Sequence, residues 1–152
     1  MRDRKDKVID MDASSNTTQQ LRQELLNAGL IDWVSLSEVN SEAALLCPDL
    51  PRPQRQEIAL DTMGSLVSEG LFAAGNLDTE DGRFAAFDEP LDETMARIRD
   101  VYIDRYDETI EWAFRFWFDL TDKGTEAAMA TEGGREIARR VEEDMRRRAE
   151  FS

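Results

Sequence analysis

The sequence predicts a mostly α-helical fold with a small antiparallel β-sheet, an α+β class, and two stretches carry that expectation. Gln54 to Phe87 reads as one helix running into a hairpin. Ile58, Ala59, Thr62, Met63, Leu66 and Val67 recur at helical spacing on one face. Gly70 stands where a helix C-terminus takes a left-handed residue, and Leu71 to Ala73 lead to the turn-forming run Asn76 to Gly82 and a returning strand, Arg83 to Phe87. The second stretch changes period: Trp112, Phe114, Phe116, Phe118 and Leu120 alternate with Ala113, Arg115, Trp117 and Asp119, which is the pattern of a strand with one buried face.

The other elements follow in chain order. Residues 1–16 mix acidic and basic groups with only Val8, Ile9 and Met11 as sizeable apolar side chains, so a flexible tail is expected. Ser15 or Asn16 can cap a first helix with Leu21, Leu25 and Leu26 inward and Gly29 closing it. Ile31 to Leu46 fits a helical step through Trp33, Leu36 and Val39, or alternation through Trp33, Ser35 and Ser37; a helix interrupted near Asn40 and Ser41 is the expectation. Prolines 48, 51 and 53 make Cys47 to Pro53 a loop, with Pro53 suited to the first turn of the next helix. Asp88 to Pro90 break the chain after the hairpin. Asp92 and Glu93 then open a helix whose apolar positions are Leu91, Met95, Ile98, Tyr102, Ile103 and Tyr106, their negative charge at its positive end. Thr121 to Thr125 turn into a short helix over Glu126 to Met129, Gly133 and Gly134 interrupt, and Arg135 to Glu150 forms a last helix with the thin stripe Ile137, Val141 and Met145. The expected organisation is a tail (1–16), a domain (17–130) and a C-terminal helix (131–152).

At 152 residues the chain suits one domain with a real core, and 41% hydrophobic with 34% charged residues is a folded balance with a highly charged surface. No apolar run approaches the roughly 20 residues that span a bilayer, and Met1 to Lys5 lacks a signal-like apolar stretch, so no membrane role and a cytoplasmic location are expected. A single cysteine, Cys47, fits a reducing compartment. The net charge of −14 repels phosphate backbones and attracts basic partners.

Leu66-Val67-Ser68-Glu69-Gly70-Leu71, a wing containing Asp81-Gly82-Arg83, and Leu120-Thr121-Asp122-Lys123-Gly124 before an alanine-rich helix together resemble winged-helix regulators of the MarR and PadR type. The resemblance implies that the first segment ends a recognition helix and that the Leu-Thr-x-x-Gly segment starts the helix after the wing. Residues 88–111 depart from the family pattern as an inserted acidic helix, so the fold expected is winged-helix-like with that insertion and a C-terminal helix. The whole order also resembles small uncharacterised actinobacterial proteins, from which no activity carries over.

Local charge argues against duplex DNA as a ligand. The recognition-like helix offers Gln54, Arg55 and Gln56 at its start but then Glu57, Asp61 and Glu69, and the wing tip sets Asp78, Glu80 and Asp81 against Arg83 alone. The basic run Arg139, Arg140, Arg146, Arg147 and Arg148 is interleaved with Glu142, Glu143, Asp144 and Glu150, a solvated helix with internal ion pairs. Chemistry is equally restricted. The chain has no histidine, which removes Ser-His-Asp and Cys-His arrangements and most zinc or iron sites. Cys47 has no cationic neighbour in sequence to activate it. Aligning Gly82 to the glycine of a calcium loop puts Leu77 and Thr79 at ligand positions, and no phosphate-binding loop occurs. No cofactor or metal and no enzymatic activity are expected.

What remains is a surface. Residues 88–111 hold nine acidic residues against three arginines, six net negative charges in 24 residues. Asp100, Asp104, Asp107, Glu108 and Glu111 follow steps of three and four and share one face if the helix continues, where each like pair costs a few tenths of a kcal/mol. Such a face suits fast capture of a basic protein. Trp117 lies opposite Phe116 by alternation, either covered by a helix or open to a partner. The expected function is a non-enzymatic protein-binding module, of the immunity or antitoxin kind, neutralising a basic toxin or nuclease; the alternative is a winged-helix transcriptional regulator. Nothing in the sequence sets the oligomeric state.

Overall fold

Prolines and glycines punctuate the middle of the chain where they were expected to. A computed structural model describes the backbone of residues 2–78 and 80–151, with side chains from Asn16 onward. Helix α3 (Arg52–Ser68) starts with Pro51 at its cap and Pro53 in its first turn. It ends in a Schellman arrangement: Gly70 takes φ +77°, Leu71 N–H donates to Leu66 O at 2.9 Å, and Gly70 N–H donates to Val67 O at 3.0 Å. Strands β2 (Phe72–Leu77) and β3 (Phe84–Ala86) form the expected hairpin, paired through Gly75 and Ala86, Asn76 and Ala85, Leu77 and Phe84. Its tip closes with Asp78 N–H on Arg83 O at 2.8 Å and Gly82 at φ +65°.

Before this unit come α1 (Arg2–Ile31), β1 (Val34–Ser35) and α2 (Leu36–Leu46). Of the tail expected over 1–16, residues 1–15 lie outside the residues whose side chains are described. The helix start expected at Ser15 or Asn16 is internal to α1, and Gly29 does not close it. The reason for that glycine is packing: a Cβ on Gly29 would lie 3.0 Å from Leu120 Cβ and from the Phe72 ring. Asn40 and Ser41 likewise do not interrupt α2. Ser35 is its cap instead, accepting from Glu38 N–H at 3.1 Å, which leaves Val34 and Ser35 free to form a two-residue strand.

After the hairpin come α4 (Leu91–Tyr102), α5 (Thr109–Trp112), β4 (Trp117–Leu120), α6 (Asp122–Met129) and α7 (Glu132–Glu150). The aromatic strand is shorter than its alternation suggests. Trp112 is helical because its indole N–H reaches Tyr106 O at 2.9 Å and its ring stacks on Tyr106 and packs on Tyr102. The following turn aims Ala113 O and Phe116 O at the N–H groups of Ser37 and Leu36, 3.0 and 2.9 Å away. Phe114, expected inward, is 63% exposed, whereas Trp112, Phe116 and Phe118 are buried and Leu120 is half-buried. Gly133 and Gly134 are likewise not a break but the first turn of α7, capped by Thr131; a Cβ on Gly134 would strike Ala128 O at 1.8 Å.

The four strands form one antiparallel sheet in the order β1-β4-β2-β3. The chain therefore leaves the sheet at its β3 edge, runs through residues 88–116, and returns as β4 in the middle. Phe118 lies between Val34 and Ala74 in register and is 1% exposed. Leu21, Leu25, Val39, Leu66, Phe72, Ile98 and Tyr102 complete the core, so α1 to α4 and the sheet share one apolar interior. The result is an α+β fold, mostly helical.

Candidate protein-binding surface

The acidic residues of the segment between β3 and β4 do not form one helical face. Helix α4 ends at Tyr102, whose carbonyl accepts from the buried Gln56 side chain at 2.9 Å. Tyr102 O–H also donates to Asn40 Oδ1 at 2.6 Å, and Asn40 Nδ2 donates to the Tyr106 hydroxyl at 3.3 Å. These bonds turn the chain back over α2 and α3, and no continuous helix satisfies them. Asp100 stays on α4, Asp104 and Asp107 fall in the connecting turns, Glu108 precedes α5, and Glu111 is within it.

Arginines then thread the acids. Arg105 bridges Asp100 at 3.5 Å and Glu108 at 3.9 Å, Arg115 pairs with Glu111 at 3.2 Å, and Arg52 reaches Asp107 at 4.0 Å while its guanidinium lies 4.5 Å over the Tyr106 ring. The expected like-charge crowding is thus relieved inside the chain, each exposed pair contributing up to about 1 kcal/mol. Asp107 is the most open of these carboxylates, with 97% of its side chain exposed.

An apolar ridge stands among them. Ile110, Phe114 and Trp117 follow at steps of four and three, in α5, in the turn after it and at the start of β4. Ile110 is 83% exposed, and the Phe114 ring lies 6.2 Å from that of Trp117. Trp117 is half-buried, donating its indole N–H to Phe114 O at 2.8 Å. Its partners across the sheet are Ser35 and Gly75, which put almost no side chain beside it, so the alternation that buries Phe118 leaves the indole on the other face. The sequence singled out Trp117 for this reason. It missed Ile110 and Phe114: the aromatic alternation assigned Phe114 to the core, and only an exposed apolar i, i+4 pair flanked by acids marked the ridge.

Elsewhere three glutamates are tied down by arginines. Glu57, Glu69 and Glu89 are held below the ordinary carboxylate range, chiefly by hydrogen bonds from Arg99, Arg22 and Arg97 respectively. Pairs with this sign contribute fully above the ordinary carboxylate value, and that contribution is lost as pH falls from there through the lowered folded-state value. Burial pushes the Cys47 thiol up, against a smaller effect of Arg55, which is the wrong direction for a nucleophile. Among the described residues no group of three Cys, Asp or Glu side chains is placed to hold a metal ion, and no helix is long and apolar enough to cross a membrane. No family model, curated protein or solved structure matches the chain.

Proposed function

We propose that the chain is a non-enzymatic protein-binding module that captures a basic protein through the ridge Ile110, Phe114 and Trp117 and the acids around it. The observation that carries this reading is the exposure of Ile110 and Phe114 beside Asp107, Glu108 and Glu111 in a chain of net charge −14. Exposed aromatic anchors supply binding energy, and surrounding charge supplies steering and choice of partner. Neutralisation of a basic toxin or nuclease, as an immunity or antitoxin-type protein does, is the most concrete form of this reading. The test is recovery of a partner from the native host, followed by binding kinetics. Asp104→Lys with Glu108→Lys is expected to slow association about tenfold at low salt and flatten its salt dependence. Phe114→Ala is expected to speed dissociation by at least about tenfold. A partner bound unchanged by both variants would remove the ridge from consideration.

A winged-helix DNA-binding regulator is the second reading, favoured by the order of α1, β1, α2, α3 and the β2–β3 hairpin. The exposed residues that would meet phosphates argue against it: Asp61 on α3, and Asp78, Glu80 and Asp81 at the hairpin tip. No retention of random duplex at physiological salt is expected. Retention with the steep salt dependence of a basic interface would exchange the two readings.

A further inference from the structure

We propose that the groove between α3 and α4 receives an arginine or lysine side chain of a protein partner, an inference that rests on the reading of the chain as a binder of basic proteins. The groove is open to solvent, about 550 Å³ in volume, with Leu60, Gly64 and Met95 as its floor and Ala96 exposed beside them. Gly64 is the telling residue. It lies inside a 17-residue helix, where glycine is a poor helix former, yet the chain itself does not require it. Its φ is not positive, and an added Cβ would meet only the flexible end of Met95, at 3.5 Å from Cε and 3.9 Å from Sδ. Gly75, Gly124 and Gly134 differ, because there a Cβ would run into backbone at 2.3, 2.1 and 1.8 Å. The missing side chain at Gly64 thus serves space outside the fold.

The chemistry of the occupant follows from the rim. Asp61 and Asp92 are exposed, border the groove from α3 and α4, and enter none of the ion pairs among the described residues. Arg99, the one cation of the lining, also interacts with Asp61 but is drawn to Glu57, with two hydrogen bonds of 2.6 and 3.0 Å. Phosphates and carboxylates are repelled by such a rim. A lysine or arginine instead lays its methylenes on the floor and its charge between the two aspartates. Met95 can re-pack around the stem, as methionine does at adaptable surfaces.

The test titrates the ¹⁵N-labelled full chain with a helical peptide of alanine and leucine carrying arginine on one face, against the same peptide with glutamate for arginine. Amide shifts are expected to centre on Asp61, Gly64, Asp92 and Met95 with the arginine peptide only. Gly64→Leu, which plugs the floor, and Asp61→Asn with Asp92→Asn, which discharges the rim, are each expected to weaken binding by roughly tenfold or more. Gly64→Ala is the folding control and is expected to raise Tm, since alanine fits there and favours the helix. If Gly64→Leu fails to fold, the discharged rim still decides. Shifts confined to Ile110, Phe114 and Trp117 would overturn the groove and leave the binding module standing; no binding of the arginine peptide anywhere would overturn both.

Discussion

Phe118→Ala is expected to destabilise the protein by about 3–5 kcal/mol, a large part of the roughly 5–15 kcal/mol that holds a domain of this size. Phe118 is 1% exposed and lies on the central strand, between Val34 and Ala74 in register, so no exposed loop can collapse into the cavity left behind. The measurement is the urea midpoint at constant slope. Phe114→Ala is the comparison. The two residues sit four apart in the same aromatic run, but Phe114 is 63% exposed and its loss is expected to move stability by no more than about 0.5 kcal/mol. Equal effects would mean that the strand register is wrong.

Gly124→Ala is expected to cost about 3 kcal/mol and to lower Tm by roughly 6–12 °C, against the propensity gain of up to about 1 kcal/mol that alanine normally brings to a helix. A Cβ on Gly124 would lie 2.1 Å from Leu71 O and 2.5 Å from Leu120 Cδ1. Neither neighbour can move alone. Leu71 O accepts from Thr121 N–H at 3.0 Å, the Thr121 hydroxyl donates to Gly70 O at 2.6 Å, and the same hydroxyl accepts from Gly124 N–H at 3.0 Å to cap α6. The Leu-Thr-x-x-Gly segment is therefore a clasp that ties the start of α6 to Gly70 and Leu71, just beyond α3. A thermal melt reads the sign directly: an unchanged or raised Tm for Gly124→Ala would show that the close approach is absent.

The legible parts of the fold are those whose signals are local. Pro51, Pro53, Gly70 and Gly82 act through their own backbone geometry, so α3, the hairpin and its tip stand where the residues imply. Trp112 to Leu120 shows the limit. Alternating apolar residues over nine positions also fit a helical turn followed by a strand, and the choice was made by carbonyls of 113 and 116 meeting the N–H groups of Ser37 and Leu36. The candidate surface divides in the same way. Trp117 was legible by alternation, whereas Ile110 and Phe114 became a ridge only once α5 had formed.

By itself, then, the sequence determined composition, net charge, the lack of histidine, the α+β class and the two stretches that carry it. Tertiary structure decided where the acids of residues 100–111 point. Gln56 and Asn40, 46 and 62 residues upstream of Tyr102, bind its carbonyl and hydroxyl and turn the chain out of α4. A carboxylate's charge belongs to its residue, but its neighbours belong to the path of the backbone. Partners distant in sequence set that path, so Arg105, Arg115 and Arg52 meet acids that helical spacing alone would have left crowded together.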